Sequence, residues 1–227
     1  MGPVLSLIIP MRSAPVAADP ASPLNCSECR LGLEGVNALH VCPHCGTPQS
    51  LRSDEDYFSA LGVSRQFALN RAEIEQRFFG ISRLLHPDRF STLGAEKKQA
   101  SLERMSFLND AYRTLRDPIA LREYRLKLEG IVLPKAAAPA ELAEAWFDVQ
   151  DQMVENPEQG RSALAAFVAQ LAEHRRQVDE QIQVAERESD AAPRDHAPLE
   201  RLARAVQTQS YLLSMGRDVE RLKTRIA

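Results

Sequence analysis

Helices, and no sheet of any size, are what this chain of 227 residues predicts. Apolar residues recur at helical spacing through residues 54–130 and again through 140–227. No run alternates polar and apolar residues for long enough to build a major sheet. All four cysteines, Cys26, Cys29, Cys42 and Cys45, fall in one short window ahead of the helices. The fold class is therefore all-α, with a small four-cysteine module on its N-terminal side.

Composition fits a soluble globular protein: 44% hydrophobic, 26% charged, formal net charge −3. Nothing in that balance points to nucleic acid or to a membrane surface, so any such role would need a local patch. Residues 1–24 hold Pro3, Pro10, Pro15, Pro20 and Pro23 among alanines and serines, and are expected to form a disordered tail. The apolar run from Val4 to Ile9 has no basic residue ahead of it, is broken by Pro10 and is too short to span a bilayer. With Arg12 the lone arginine before residue 30, it also makes a poor mitochondrial presequence, and the expected location is the reducing cytoplasm.

The cysteines form two C-x-x-C pairs separated by twelve residues, the second followed by Gly46. A two-residue gap lets both thiolates of a pair reach one tetrahedral ion, and two such knuckles complete four ligands. A zinc ribbon-like module over 25–48 is the expectation, holding one structural zinc through Cys26, Cys29, Cys42 and Cys45. So small a segment has almost no core, and an apparent metal-binding energy on the order of 10–16 kcal/mol could fold it. His40 and His44 lie nearby but are not needed as ligands. A redox dithiol and an iron–sulfur cluster site are the competing readings. Only Arg30 is basic in this window, which argues against phosphate contacts.

The segment 54–130 divides by its stop signals. Asp54-Glu55-Asp56 caps a short helix containing Tyr57, Phe58 and Leu61, which Gly62 ends. Asn70 reads as an N-cap with Glu73 completing a capping box. From there Ile74, Phe78, Ile81 and Leu85 form one stripe of a long helix, which Pro87 stops. A third helix runs from about Ala95 to Arg116 with Leu102, Met105, Leu108, Ala111, Tyr112 and Leu115 inward. After Pro118 comes a last short helix with Tyr124 and Leu128. Two long helices joined by a short loop pack antiparallel. That loop reads His86-Pro87-Asp88, and its proline presents both polar side chains at a corner. Residues 65–85 carry four arginines against two glutamates, a basic face suited to an acidic protein surface. A catalytic pairing of His86 with Asp88 is disfavoured, because no nucleophile adjoins them.

Pro134 to Pro139 reads as a linker within 131–139. Residues 140–158 then hold Glu141, Glu144, Asp148, Asp151, Glu155 and Glu158 with no lysine or arginine, interleaved with Leu142, Trp146, Phe147, Val149 and Met153. The pattern is compatible with a solvated acidic face or with a surface for a basic, partly apolar partner. Asn156-Pro157 turns the chain into a second helix, about Gln159–Arg187, with Leu164, Phe167, Val168, Leu171, Val178 and Ile182. A third spans about Pro198 to Ile226 with Leu199, Leu202, Val206, Leu212, Leu213, Val219 and Leu222. Together they predict a three-helix bundle over 140–227.

From Asp56-Tyr57-Phe58 through His86-Pro87-Asp88-Arg89-Phe90 to Leu108-Asn109-Asp110-Ala111-Tyr112, the middle segment resembles a J-domain. That resemblance implies a helical hairpin, spanning 54–130, that stimulates a DnaK-type chaperone ATPase without being an enzyme itself. It assigns the signal to His86, Pro87 and Asp88, with Arg77, Arg83 and Arg89 as docking charges. A J-domain followed by a roughly 90-residue helical domain resembles the HscB family, co-chaperones of iron–sulfur cluster assembly. Some of its members, notably eukaryotic ones, carry a similar four-cysteine module. The family implies an HscA-like chaperone and an IscU-like scaffold as partners, and maps scaffold binding onto Phe147, Asp148, Asp151, Glu155 and Tyr211. Ala143 and Glu144 stand where the family often has a leucine–methionine pair, so either Leu142 and Trp146 substitute or the register shifts by one. A J-domain protein for a different client, and a zinc-ribbon nucleic-acid binder, are the alternative functions.

Overall fold

The computed structural model describes residues 25–134 and 139–226; the tail expected over 1–24 lies outside them. Eight α-helices follow in order among the described residues: α1 (Val36–His40), α2 (Tyr57–Leu61), α3 (Arg71–Leu84), α4 (Ala95–Arg116), α5 (Pro118–Leu128), α6 (Ala140–Glu155), α7 (Pro157–Ala191) and α8 (Ala197–Ile226). A 3-10 turn, Pro87–Phe90, separates α3 from α4. Extended pairing among the described residues is limited to two isolated bridges, Asn25 with Gly32 and Val41 with Pro48. The protein is all-α, with the four cysteines in the bridged segment.

Helices α2, α3, α5 and α7 start where a side chain satisfies their unpaired first amides, whereas α1 and α6 have no side-chain cap. Asp56 accepts from the Ser59 amide at 2.7 Å, and the Ser59 hydroxyl accepts from the Asp56 amide at 3.0 Å. Asn70 accepts from the amides of Ala72 and Glu73, Asp117 from Ile119 and Ala120, and Asn156 from Glu158 and Gln159. The reciprocal half expected from Glu73 is replaced: its carboxylate turns along the helix to accept from Arg77 Nε at 2.9 Å. An arginine one turn on competes better for a carboxylate than a single backbone amide does.

The chain divides into two compact units. Of the described residues, the first contains those up to Ser64 together with Asn70–Arg116, and the second contains Arg65–Leu69 and those from Asp117 onward. In the first, α3 and α4 form the antiparallel pair, with α2 against α4 and α1 against α2 and α3. Its core holds Phe58, Leu61, Ile74, Ile81, Leu85, Phe90, Leu108, Ala111 and Leu115. Phe78 lies at the margin, its ring stacked on Tyr112 with centroids 4.2 Å apart.

One expectation for α4 is corrected. Leu102 is exposed, whereas Ser101 and Arg104 are buried, so the inward stripe runs 101, 104, 108, 111, 115. Counting apolar residues alone placed Leu102 inward because both buried residues of the first turns are polar. Leu213, expected in the apolar stripe of the last helix, is partly exposed at 41%.

In the second unit α7 is the central helix, packed against α6 on one side and α8 on another. The Trp146 and Phe167 rings lie 5.1 Å apart, and Gly160 lets α7 approach Met153 so closely that a Cβ there would lie 2.7 Å from the Met153 Cα. Asp190 organises the other end. Its carboxylate accepts from the Phe67 and Ala68 amides and pairs with Arg125, whose guanidinium sits 4.1 Å from the centre of the Phe67 ring. Glu186 pairs with Arg122 at 2.6 Å. These contacts gather α5 and residues 65–69 into the same unit as α7.

A candidate metal centre and an exposed corner

Two backbone knuckles build the cysteine site. The Cys26 amide donates to the Leu31 carbonyl and the Cys42 amide to the Thr47 carbonyl, closing each C-x-x-C segment into a tight loop. Arg30 and Gly46 occupy the equivalent position in each, both at positive φ, 63° and 72°. Glycine is at ease there, while Arg30 bears the steric cost of a Cβ. In each knuckle an amide points at a sulfur: Glu28 N to Cys26 Sγ and His44 N to Cys42 Sγ, both at 3.4 Å.

The result is four Sγ atoms within 4.8 Å of one another. Cys26 and Cys45 sulfurs are 3.6 Å apart, and those of Cys29 and Cys42 are 3.7 Å apart. A tetrahedral ion with metal–sulfur bonds of about 2.3 Å requires sulfurs roughly 3.8 Å apart. The four cysteines are therefore gathered closely enough to share one metal ion. Burial opposes ionisation of Cys26, but the Cys29 and Glu28 amides and the neighbouring thiols outweigh it, bringing that thiol down to about 6. Donors already stabilise a thiolate here, the form in which cysteine binds metal.

Outside the sulfurs lies a set of residues that sequence reasoning missed. Gln49 is buried; its Nε2 reaches Cys26 Sγ at 3.5 Å and its Oε1 accepts from the Ser27 amide at 3.3 Å. Thr47 donates to Glu28 at 2.6 Å, and Glu28 also takes Lys97 of α4 at 2.9 Å. The Thr47 hydroxyl and Lys97 hold the Glu28 carboxyl below the usual carboxylate range. Arg104, only 1% exposed, donates to the Gln49 and Ser50 carbonyls and to both carboxylate oxygens of Glu55. His40 lies against the same guanidinium: Nδ1 is 3.3 Å from Arg104 Nη1, while Nε2 is 2.7 Å from the Ala60 carbonyl. A carbonyl can only accept, so Nε2 carries the proton and Nδ1 accepts from Arg104. Burial favours that neutral ring and pushes the His40 pKa down. The available signal for Arg104 was an arginine standing in the inward stripe of α4.

The corner between α3 and α4 has a different character. Leu85 ends α3, His86 caps the 3-10 turn, and Phe90 buries its ring to anchor it. His86 Nδ1 accepts from the Asp88 amide at 3.4 Å, and Ser91 donates to the Asp88 carbonyl at 2.8 Å. The turn is thus rigid in backbone yet open in side chain: His86 is 61% exposed and Asp88 91%. The two side chains approach to 3.6 Å, a charge pair only when the imidazole is protonated. Arg83 and Arg89 are exposed, and Arg89 Nη1 donates to the Arg83 carbonyl. Arg77 is committed, pairing with Glu73 at 2.7 Å and pointing Nη1 at the Leu61 carbonyl.

On α6 the core stripe contains Leu142 and Val149, while Phe147 is 64% exposed beside the acidic residues Asp148, Asp151 and Glu155. Val154, two turns beyond Phe147 and 85% exposed, extends the apolar edge and was not anticipated. Trp146 does not join that edge, being turned onto Phe167. Helix α6 runs antiparallel to α7, as does α8, where Arg175 donates to the Leu212 carbonyl and Gln209 to Asp179. Phe147 is therefore level with about Ala166 and Tyr211 with about Gln177. That separates them along α7 by about ten residues, roughly 15 Å.

No protein-family model matches the chain. Among curated proteins, it is 31% identical over 137 residues to the co-chaperone protein HscB homolog of Bordetella avium, a match spanning 53% of this chain and 82% of that protein. The chain belongs to the HscB family. Human and mouse iron-sulfur cluster co-chaperone HscB proteins are 37% and 34% identical over 94 and 111 residues. Those matches span less than half of the mammalian proteins, 40% and 47%. The crystal structure of human HscB shares the fold at a TM-score of 0.61 and 22% identity, over 88% of this chain and 98% of that one. HscB from Vibrio cholerae does so at 0.51 and 23% identity, over 76% of this chain and 100% of that one. Among the described residues no helix is long and apolar enough to cross a membrane.

Proposed function

We propose that this chain is a co-chaperone of iron–sulfur cluster assembly that binds a cluster scaffold protein and stimulates the ATPase of a DnaK-type chaperone. The observation that carries the reading is the corner: a carboxylate 91% exposed on a rigid, proline-built turn at the end of an arginine-bearing helix. Such a group is placed for another protein to feel, and partly exposed charges give orientation and rate of encounter more than raw affinity. Asp88 is the signalling carboxylate, held in register by His86 and Pro87, and exposed Arg83 and Arg89 steer an acidic partner surface toward it. Arg77 serves that surface only if its pairing with Glu73 opens. The names of the relatives supply the pathway.

The scaffold rests on α6, with Phe147 as apolar anchor and Asp148, Asp151 and Glu155 as charges. Tyr211, about 15 Å along the bundle, belongs to the contact only where the scaffold is long enough to reach both. Zinc is the ion for the four thiolates, and a reducing cytoplasm keeps them available for it. Bound zinc supplies the fold of the module, while Gln49, Thr47 and the knuckle amides orient the sulfurs.

ATPase stimulation by the full chain, measured with an HscA-like chaperone and an IscU-like scaffold, tests the reading. Asp88→Asn should abolish stimulation while leaving scaffold affinity unchanged, and Phe147→Asp should weaken scaffold binding at least about tenfold. Undiminished stimulation by Asp88→Asn would sink the corner mechanism. Failure of the parent chain to bind the scaffold would reassign the C-terminal helices to another client.

A further inference from the structure

One face of α4 joins the cysteine site to the corner. Lys97, Ser101 and Arg104 follow one another at helical spacing, so their side chains share that face. Lys97 pairs with Glu28, inside the first knuckle. Arg104 gathers the His40 ring and the carbonyls of Gln49 and Ser50, from in and just after the segment around the sulfurs, together with the Glu55 carboxylate just ahead of α2. Between them the Ser101 hydroxyl, fully buried, donates to the Leu85 carbonyl at 2.6 Å. Leu85 is the last residue before His86, and its carbonyl is an orphan acceptor of the helix end.

We propose that Arg104 is a positioning residue through which the four-cysteine module holds the first half of α4 and, by way of Ser101, the His86–Asp88 turn. The guanidinium ties His40, Gln49, Ser50 and Glu55 to α4, beside the direct bond from the Gln49 amide to the His40 carbonyl. Gln49 carries the link inward: its side chain touches Cys26 Sγ while its carbonyl receives Arg104. When the metal leaves, the knuckles lose their tetrahedral cross-link and are left with hydrogen bonds such as that of Thr47 to Glu28; Gln49 and Ser50 then move, and the buried Arg104 loses acceptors it cannot replace. Ser101 then shifts against Leu85, and the turn loosens. The consequence for partner signalling rests on the function proposed above; the coupling itself involves no partner.

Hydrogen exchange on the full chain reads it directly. With zinc bound, amides of 95–105 and of Arg89, Ser91 and Leu93 should be protected; a chelator should speed their exchange at least about tenfold, and added zinc should reverse it. Arg104→Met, retaining one equivalent of zinc, should exchange at the chelated rate whether or not metal is present. Ser101→Ala, a milder change that keeps the module docked, should uncouple Arg89, Ser91 and Leu93 from the metal while 95–100 still respond. The proposal is overturned if chelation affects only 25–50, if it speeds α7 and α8 equally (global unfolding), or if the turn still follows the metal in Ser101→Ala. Because these readouts need no chaperone, a failed ATPase assay leaves them intact, and their failure leaves the corner reading intact.

Discussion

At the scale of single residues, the decisive features are those where an atom has one permitted environment. Gly62 ends α2 at φ 65°, and a Cβ there would fall 2.2 Å from Val36 Cγ2 and 2.9 Å from Arg77 Nη1. Gly130 also has positive φ, 71°, but open space around it. Gly62→Ala should therefore cost about 1–3 kcal/mol beyond the conformational penalty of roughly 1–2 kcal/mol that Gly130→Ala pays alone. Urea unfolding of the zinc-loaded chain compares them, and equal costs would mean that α1 is not seated on Gly62. The sequence marked Gly62 as a helix stop, correctly, but could not show Val36 above it. The cysteines were legible for the opposite reason: a C-x-x-C knuckle is a local object whose geometry is set by its own backbone.

Among elements, periodicity and caps located most helices to within a residue or two. Helix α4 begins and ends at Ala95 and Arg116 as expected, and α8 begins at Ala197, one residue before the expected Pro198, and ends at Ile226. Helix α7 is longer at both ends than its apolar stripe, because Asn156 caps it and Pro157 serves as its first residue. Which helices pack closely was not legible. Gly160 reads in sequence as a weak point in a helix, yet the Met153 backbone lies against it. Gly160→Ala should destabilise the second unit by about 1–3 kcal/mol and push α6 away. The emission of Trp146, the chain's one tryptophan, should shift to the red as its ring leaves Phe167. Gly80→Ala on α3, with nothing near its Cβ, should instead stabilise by about 1 kcal/mol through helix propensity. An unchanged Trp146 spectrum in Gly160→Ala would remove the close approach as an explanation.

For the whole molecule, the two compact units are not unbroken stretches of chain, since Arg65–Leu69 groups with the described residues from Asp117 onward. Helix α5 and residues 65–69 group with α7 because Asp190 collects two amides and the buried Arg125. Removing one partner of a buried pair leaves the other charge uncompensated, at a cost of about 3–5 kcal/mol. Asp190→Ala should release the Arg65–Leu69 segment, and tryptic cleavage after Arg65 should quicken about tenfold in the otherwise folded chain. Cleavage at the parent rate would show that other contacts hold the segment.

Amino-acid order alone determined what depends on near neighbours: helical periodicity, capped helix starts, the proline corner and two cysteine knuckles. The tertiary structure decided which charges are buried and with whom. Arg104 and Glu55 are 49 residues apart, and Arg125 and Asp190 are 65 apart. No local propensity distinguishes such arginines from the solvated ones along the same helices. Burial selects them, because a desolvated charge is tolerable only where the fold delivers its counterpart.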